Sequence, residues 1–118
     1  MKVITGDKLV FFDVDDTLVM WNTEEYKPEE LVKLTSAQYS RECAPHKKHI
    51  KELKRLKKEG WYVVVWSLSG WDWAAAAVRA LGLEPHVDLV MSKPERYYDG
   101  LYVDEWLLPS QRRYFPAD

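Results

Sequence analysis

The stretch Leu9-Val10-Phe11-Phe12-Asp13-Val14-Asp15-Asp16-Thr17-Leu18 constrains the chain more than any other. Four consecutive apolar residues fit a strand buried on both faces. Asp13, Asp15 and Asp16 follow within four positions, and unpaired carboxylates are too costly to bury. A cation must therefore stand beside them, most simply a divalent metal held by oxygen ligands. The plainer alternative is an acidic turn after an edge strand.

A chain of 118 residues with 47% apolar and 14% aromatic content can fill the core of a single domain, read as 1–118. Its net charge of -2 predicts no bulk attraction to nucleic acid or membrane. Cys43, alone, gives neither an intrachain disulfide framework nor a zinc cluster. No apolar run approaches the length that spans a bilayer, and Met1 to Asp7 lacks a signal-peptide pattern. The expectation is a soluble, cytoplasmic protein with no membrane partner.

Residues 8–13 form the expected first strand. Residues 18–44 read as a flap or short insert: Val32 and Leu34 alternate with Lys33 and Thr35, and Tyr39 to Cys43 could return as the partner strand, while Leu31, Leu34 and Gln38 could equally start a helix. Pro45 suits a helix start; Ile50, Leu53 and Leu56 recur at helical spacing, and Gly60 stops the run. The many lysines of this helix read as a solvated face rather than a polyanion site. Trp61 to Trp66 is a second strand, ending in Ser67-Leu68-Ser69-Gly70. An alanine-rich helix follows over about Asp72 to Leu81, closed by Gly82, and then a third strand, Val87 to Met91. Tyr97-Tyr98 or Leu101-Tyr102-Val103 suggests a fourth short strand, and the tail from Trp106 could cover a sheet edge. His46, His49 and His86 have no metal-ligand spacing and read as structural.

Strand, helix, strand, helix, strand is the pattern of a mostly parallel α/β sheet. Right-handed crossovers bring the C-terminal strand ends to one edge, where open α/β sheets bind ligands. That edge would gather Asp13, Asp15, Asp16, Ser67, Ser69, Lys93, Asp99 and Asp104. Carboxylates, a hydroxyl and a lysine together suit phosphoryl transfer, in which a carboxylate attacks phosphorus and cations offset the repulsion between anions.

These residues resemble the motifs of the haloacid dehalogenase (HAD) superfamily, in its small, capless, magnesium-dependent phosphatase branch. Phe11-Phe12-Asp13-Val14-Asp15-Asp16-Thr17-Leu18 matches the hydrophobic strand plus D-x-D-x-T of the first motif. Val64-Val65-Trp66-Ser67 matches the second, Lys93 the third, and Asp99 with Asp104 one spacing of the acidic fourth, although Asp99-Gly100 departs from the adjacent acidic pair. The resemblance covers about residues 8–106. It implies a Rossmann-like three-layer sandwich with a minimal cap. It also implies Asp13 as a nucleophile that becomes phosphorylated and Asp15 as the acid that protonates the leaving group and then activates water. Ser67, Leu68 and Lys93 would grip the phosphoryl group. Asp13, Asp15 through its carbonyl, and Asp99 or Asp104 would hold Mg²⁺, and Thr17 would brace the loop.

The implied substrate is a phosphomonoester, hydrolysed through an aspartyl-phosphate. With little room for a cap, the site would be open to large substrates, or to a partner acting as the lid. Trp21, Trp66, Trp71, Trp73 and Trp106 flank the motifs; they could stack a nucleobase, though packing of core and rim is the plainer role. A nucleotide or nucleic-acid-end phosphatase is therefore an alternative. A phospho-acceptor receiver domain fits poorly, because no Asp lies between Lys47 and Ser67. The remaining alternative is a catalytically silent binding module on the same fold.

Overall fold

The computed structural model describes residues 1–117. Strand β1 (Leu9–Asp13) leads into β2 (Val19–Met20), β3 (Val32–Thr35) and β4 (Ser40–Pro45), and then helix α1 (Lys47–Lys58). Strand β5 (Tyr62–Ser67), helix α2 (Trp71–Ala80), strand β6 (Leu89–Ser92) and the single turn α3 (Val103–Trp106) complete the order. No helix among the described residues is long and apolar enough to cross a membrane.

The main sheet is parallel, in the order β1-β5-β6. Its centre is the triple-valine run of β5, Val63, Val64 and Val65, buried on both faces as the hydrophobic run predicts. The register sets Asp13 opposite Trp66 and Ser67 opposite Ser92, so the three strand ends finish level at one edge.

A chain that steps one way across a sheet through right-handed crossovers places its helices on one face. The side chains agree. Phe12, Val63 and Val65 join Leu53 of α1 and Trp73, Ala74, Ala77 and Val78 of α2 in one core. Strand alternation turns Leu9, Phe11 and Trp66 to the other face. There Leu9 and Phe11 are 36% and 43% exposed, and the Phe11 and Trp66 rings lie against each other at 4.5 Å. The expected three-layer sandwich is thus corrected: among the described residues one helical layer packs on the parallel sheet.

The expected hairpin is present and in register, Val32 opposite Cys43 and Thr35 opposite Ser40, with β2 joining the far side of β4. This small antiparallel sheet packs through β3 on α2, whose alanines permit close approach, so α2 lies between the two sheets. The main-chain N–H of Ala37 donates to Asp72 Oδ2 at 2.8 Å and ties the hairpin turn to the helix.

The expected fourth strand does not form. The Asp99 carboxylate accepts the Leu101 N–H at 2.9 Å, which turns the chain where an extended strand would have to run. Tyr97, Tyr98, Leu101 and Tyr102 remain exposed, and the segment coils into α3. The tail beyond it returns to the body through two buried imidazoles, stacked 3.7 Å apart at the start of α1. The His46 Nε2–H donates to the Phe115 carbonyl at 2.8 Å, while its Nδ1 accepts the His49 N–H. The His49 Nδ1–H donates to the Thr17 carbonyl at 2.7 Å, and its Nε2 accepts the Phe115 N–H at 2.8 Å. Every ring nitrogen of the pair thus has a hydrogen-bond partner.

Burial holds His49 below the ordinary imidazole value of 6.5, with the hydrogen bond to Thr17 opposing it. A depressed folded value means the stability from neutral His49 is complete above 6.5 and is lost as pH falls through the folded value. The thermal midpoint should therefore be flat from about pH 8 to 7 and drop toward about pH 5, and His49→Gln should flatten that drop. Melts recorded across this range by circular dichroism check it.

Candidate active site

The loop after β1 is a tight knot. The Val14 carbonyl accepts N–H groups from Thr17, Leu18 and Val19 at 3.1, 2.9 and 3.2 Å, and the Asp16 N–H returns to the Val19 carbonyl at 2.7 Å. Closing it requires Asp16 at φ 58°, a left-handed conformation that Asp and Asn tolerate better than other side chains. The Asp16 carboxylate then accepts the Trp21 N–H at 3.1 Å, and its carbonyl accepts the Tyr114 hydroxyl at 2.9 Å. Asp16 is a turn former in this structure.

Asp13 ends β1, and Lys93 lies just beyond β6. The Lys93 ammonium is 3.4 Å from Asp13 Oδ1 and stands over the Trp66 ring at 5.7 Å. Both partners of this pair are partly exposed, about a third for Asp13, so water screens it and leaves the carboxylate accessible. The Thr17 hydroxyl lies at the far limit of hydrogen bonding from Asp13 Oδ2, 3.5 Å.

Ser67 ends the central strand and ties it to the residue just beyond β6. Its carbonyl accepts the Lys93 N–H at 3.0 Å and the Gly70 N–H at 3.1 Å. Its hydroxyl, buried at 1% exposure, accepts the Ser69 N–H at 3.0 Å and keeps its own proton to donate. Leu68 projects outward, 82% exposed. Gly70, at φ 105°, carries the chain into α2 without a side chain to cap the helix; the Ser92 hydroxyl accepts the Trp71 N–H at 2.8 Å instead.

Asp15 is held differently from its neighbours. The indole N–H groups of Trp21 and Trp73 both donate to Asp15 Oδ1, each at 2.8 Å. The Ser69 hydroxyl reaches Oδ2 at 3.3 Å. The structure thus brings together Asp13, Ser67, Leu68 and Lys93 at the strand ends, with Asp15 beside them on an aromatic wall. Asp99 lies on the segment before α3, where it is occupied with Leu101, and Asp104 lies within α3. Among the described residues no three His, Cys, Asp or Glu side chains come together to hold a metal ion.

Sequence reasoning missed the tryptophan contacts to Asp15, the cap from Ser92 and the two histidines beneath the loop. Trp21 and Trp73 count as apolar in any pattern, yet each carries a donor that burial obliges to find an acceptor. Cys43 lies fully buried. Burial pushes its thiol up, with Arg41 opposing, so it is no ready thiolate.

Compared with models of known families, with curated proteins and with solved structures, the chain matches none.

The turn role of Asp16 gives a test. Asp16→Asn, which keeps both left-handed tolerance and a side-chain acceptor, should melt close to wild type, whereas Asp16→Val should lose about 1–3 kcal/mol in denaturant unfolding.

Proposed function

We propose that the protein is a Mg²⁺-dependent phosphohydrolase of HAD type, acting on a phosphomonoester through an aspartyl-phosphate. The observation that carries this reading is the pairing of Asp13 with Lys93 at the C-terminal edge of a parallel sheet, with the Ser67 hydroxyl one strand away. A carboxylate nucleophile and a phosphate share one sign of charge, and an ammonium touching the carboxylate is what their approach requires.

The hydrolysis runs in two displacements. An Asp13 carboxylate oxygen attacks phosphorus, the ester P–O bond breaks, and the leaving alkoxide takes a proton from Asp15. Asp15 then accepts a proton from water as that water attacks the phosphorus. The bond from phosphorus to the Asp13 oxygen breaks, which frees inorganic phosphate and restores both acids. Lys93 and Ser67 hold the phosphoryl oxygens through both steps.

The Asp13 carboxylate and the Asp15 carbonyl are hard oxygen donors of the kind Mg²⁺ accepts alongside water and substrate phosphate. Asp99 or Asp104 would be a further ligand from its separate segment. When bound, the ion would supply positive charge to offset the repulsion between carboxylate and phosphate. The separation of both acids from Asp13 favours one rival, a module on the same fold that binds phosphate without turning it over.

Hydrolysis of p-nitrophenyl phosphate, followed by a panel of phosphate esters including nucleotides, decides between them. Turnover that needs Mg²⁺, stops with EDTA and vanishes in Asp13→Asn supports the enzyme. Asp15→Asn should slow it by about 10²–10⁴-fold. Turnover unchanged in Asp13→Asn contradicts the mechanism, and no turnover on any ester favours the rival.

A further inference from the structure

We propose that Trp21 and Trp73 are positioning residues for Asp15, fixing which of its oxygens faces the substrate; this rests on the phosphohydrolase reading above. A carboxylate turns readily about its last bond, because that torsion is broad and nearly two-fold. A free Asp15 would present either oxygen. In this structure two indoles, each a donor with no acceptor, converge on Oδ1 from different elements, both at 2.8 Å. Oδ2 receives only the longer 3.3 Å contact from Ser69, which stands two residues beyond Ser67 on the same loop. The oxygen turned toward the phosphoryl-gripping loop is therefore Oδ2, the one that exchanges the proton with the leaving group and with water.

The indoles are themselves held. Trp73, at the start of α2, is only 3% exposed. The Trp21 ring carries the Arg41 guanidinium over its face at 4.0 Å, and Arg41 Nη2 donates to the Trp21 carbonyl at 3.1 Å. Tyr39, from the hairpin turn, stacks on Trp21 at 6.2 Å and meets Trp73 edge-on at 5.5 Å. With the bond from Ala37 to Asp72, the hairpin is pinned to α2. The flap expected from the sequence acts as a strut behind Asp15.

If the indoles only satisfied their own donors, their removal would weaken the fold and slow every substrate alike. If they aim the acid, their removal falls hardest on substrates whose leaving group needs a proton. Trp21→Phe and Trp73→Phe keep a ring and delete the N–H. Each should lower kcat for an alkyl phosphate about tenfold more than kcat for p-nitrophenyl phosphate, with KM little changed. Trp21→Phe carries the test alone if Trp73→Phe does not fold.

A second readout needs no turnover. The six tryptophans give six indole signals in a proton–nitrogen NMR spectrum of the full chain. Asp15→Ala should shift the two assigned to Trp21 and Trp73 by loss of these variants' peaks. Unmoved indole signals, or an equal fall in kcat for both esters, overturn the positioning role while leaving the phosphatase standing. A wild type that hydrolyses no phosphate ester removes the phosphatase reading, and the positioning role with it, even if the indole signals move.

Discussion

Hydrogen-bonding groups left over by the loop after β1 govern how the molecule is assembled. The knot around the Val14 carbonyl satisfies part of this loop internally, but it leaves the carbonyls of Asp16 and Thr17 and the Asp15 carboxylate pointing outward. Each is met by a donor from outside the knot: Tyr114 of the tail, His49 of α1, Trp21 after β2 and Trp73 of α2. Polar groups partly shielded from water, as the Thr17 carbonyl and the Asp15 carboxylate are, favour such partners, so the loop acts as a hub on which the tail, α1, α2 and the small sheet converge. The same convergence sets the direction in which Asp15 faces.

The parallel sheet supplies the other half of the site. Strand β5 is buried on both faces and fixes the register of β1 and β6 on either side, so three strand ends finish level. A second pairing across that edge, between the Lys93 N–H and the Ser67 carbonyl, carries the lysine toward Asp13. The helices occupy one face, and the other presents Leu9, Phe11 and Trp66. The hairpin, which could have stood over the edge as a cap, is tied to α2 by Asp72.

Much of this was legible in the sequence. Runs such as Leu9–Phe12 and Tyr62–Trp66 read as strands because uninterrupted apolar residues fit little else. The alternation of Val32 and Leu34 with Lys33 and Thr35 suggested the hairpin, but its register came only from the structure. Tyr97–Val103 was misleading: its aromatic residues suit a strand, yet a carboxylate turn at Asp99 decides the local path, and periodicity does not weigh it. The single helical layer could not be read, because it depends on the strand order β1-β5-β6, which the pattern of elements along the chain does not set. The tryptophan clamp and the histidine pair escaped for a shared reason. Indole and imidazole look apolar or neutral in a pattern, and their role depends on a single N–H whose partner lies far along the chain.

The central claim is that Asp13 carries the phosphoryl group during turnover. Quenching the protein in acid while it hydrolyses a phosphate ester, and mapping the modified peptide by mass spectrometry, tests this most directly. The account predicts a phosphoryl group on Asp13, removed by hydroxylamine as an acyl phosphate is, and absent from Asp13→Asn. Turnover with no modified Asp13, or a phosphoryl group on another residue, would contradict it.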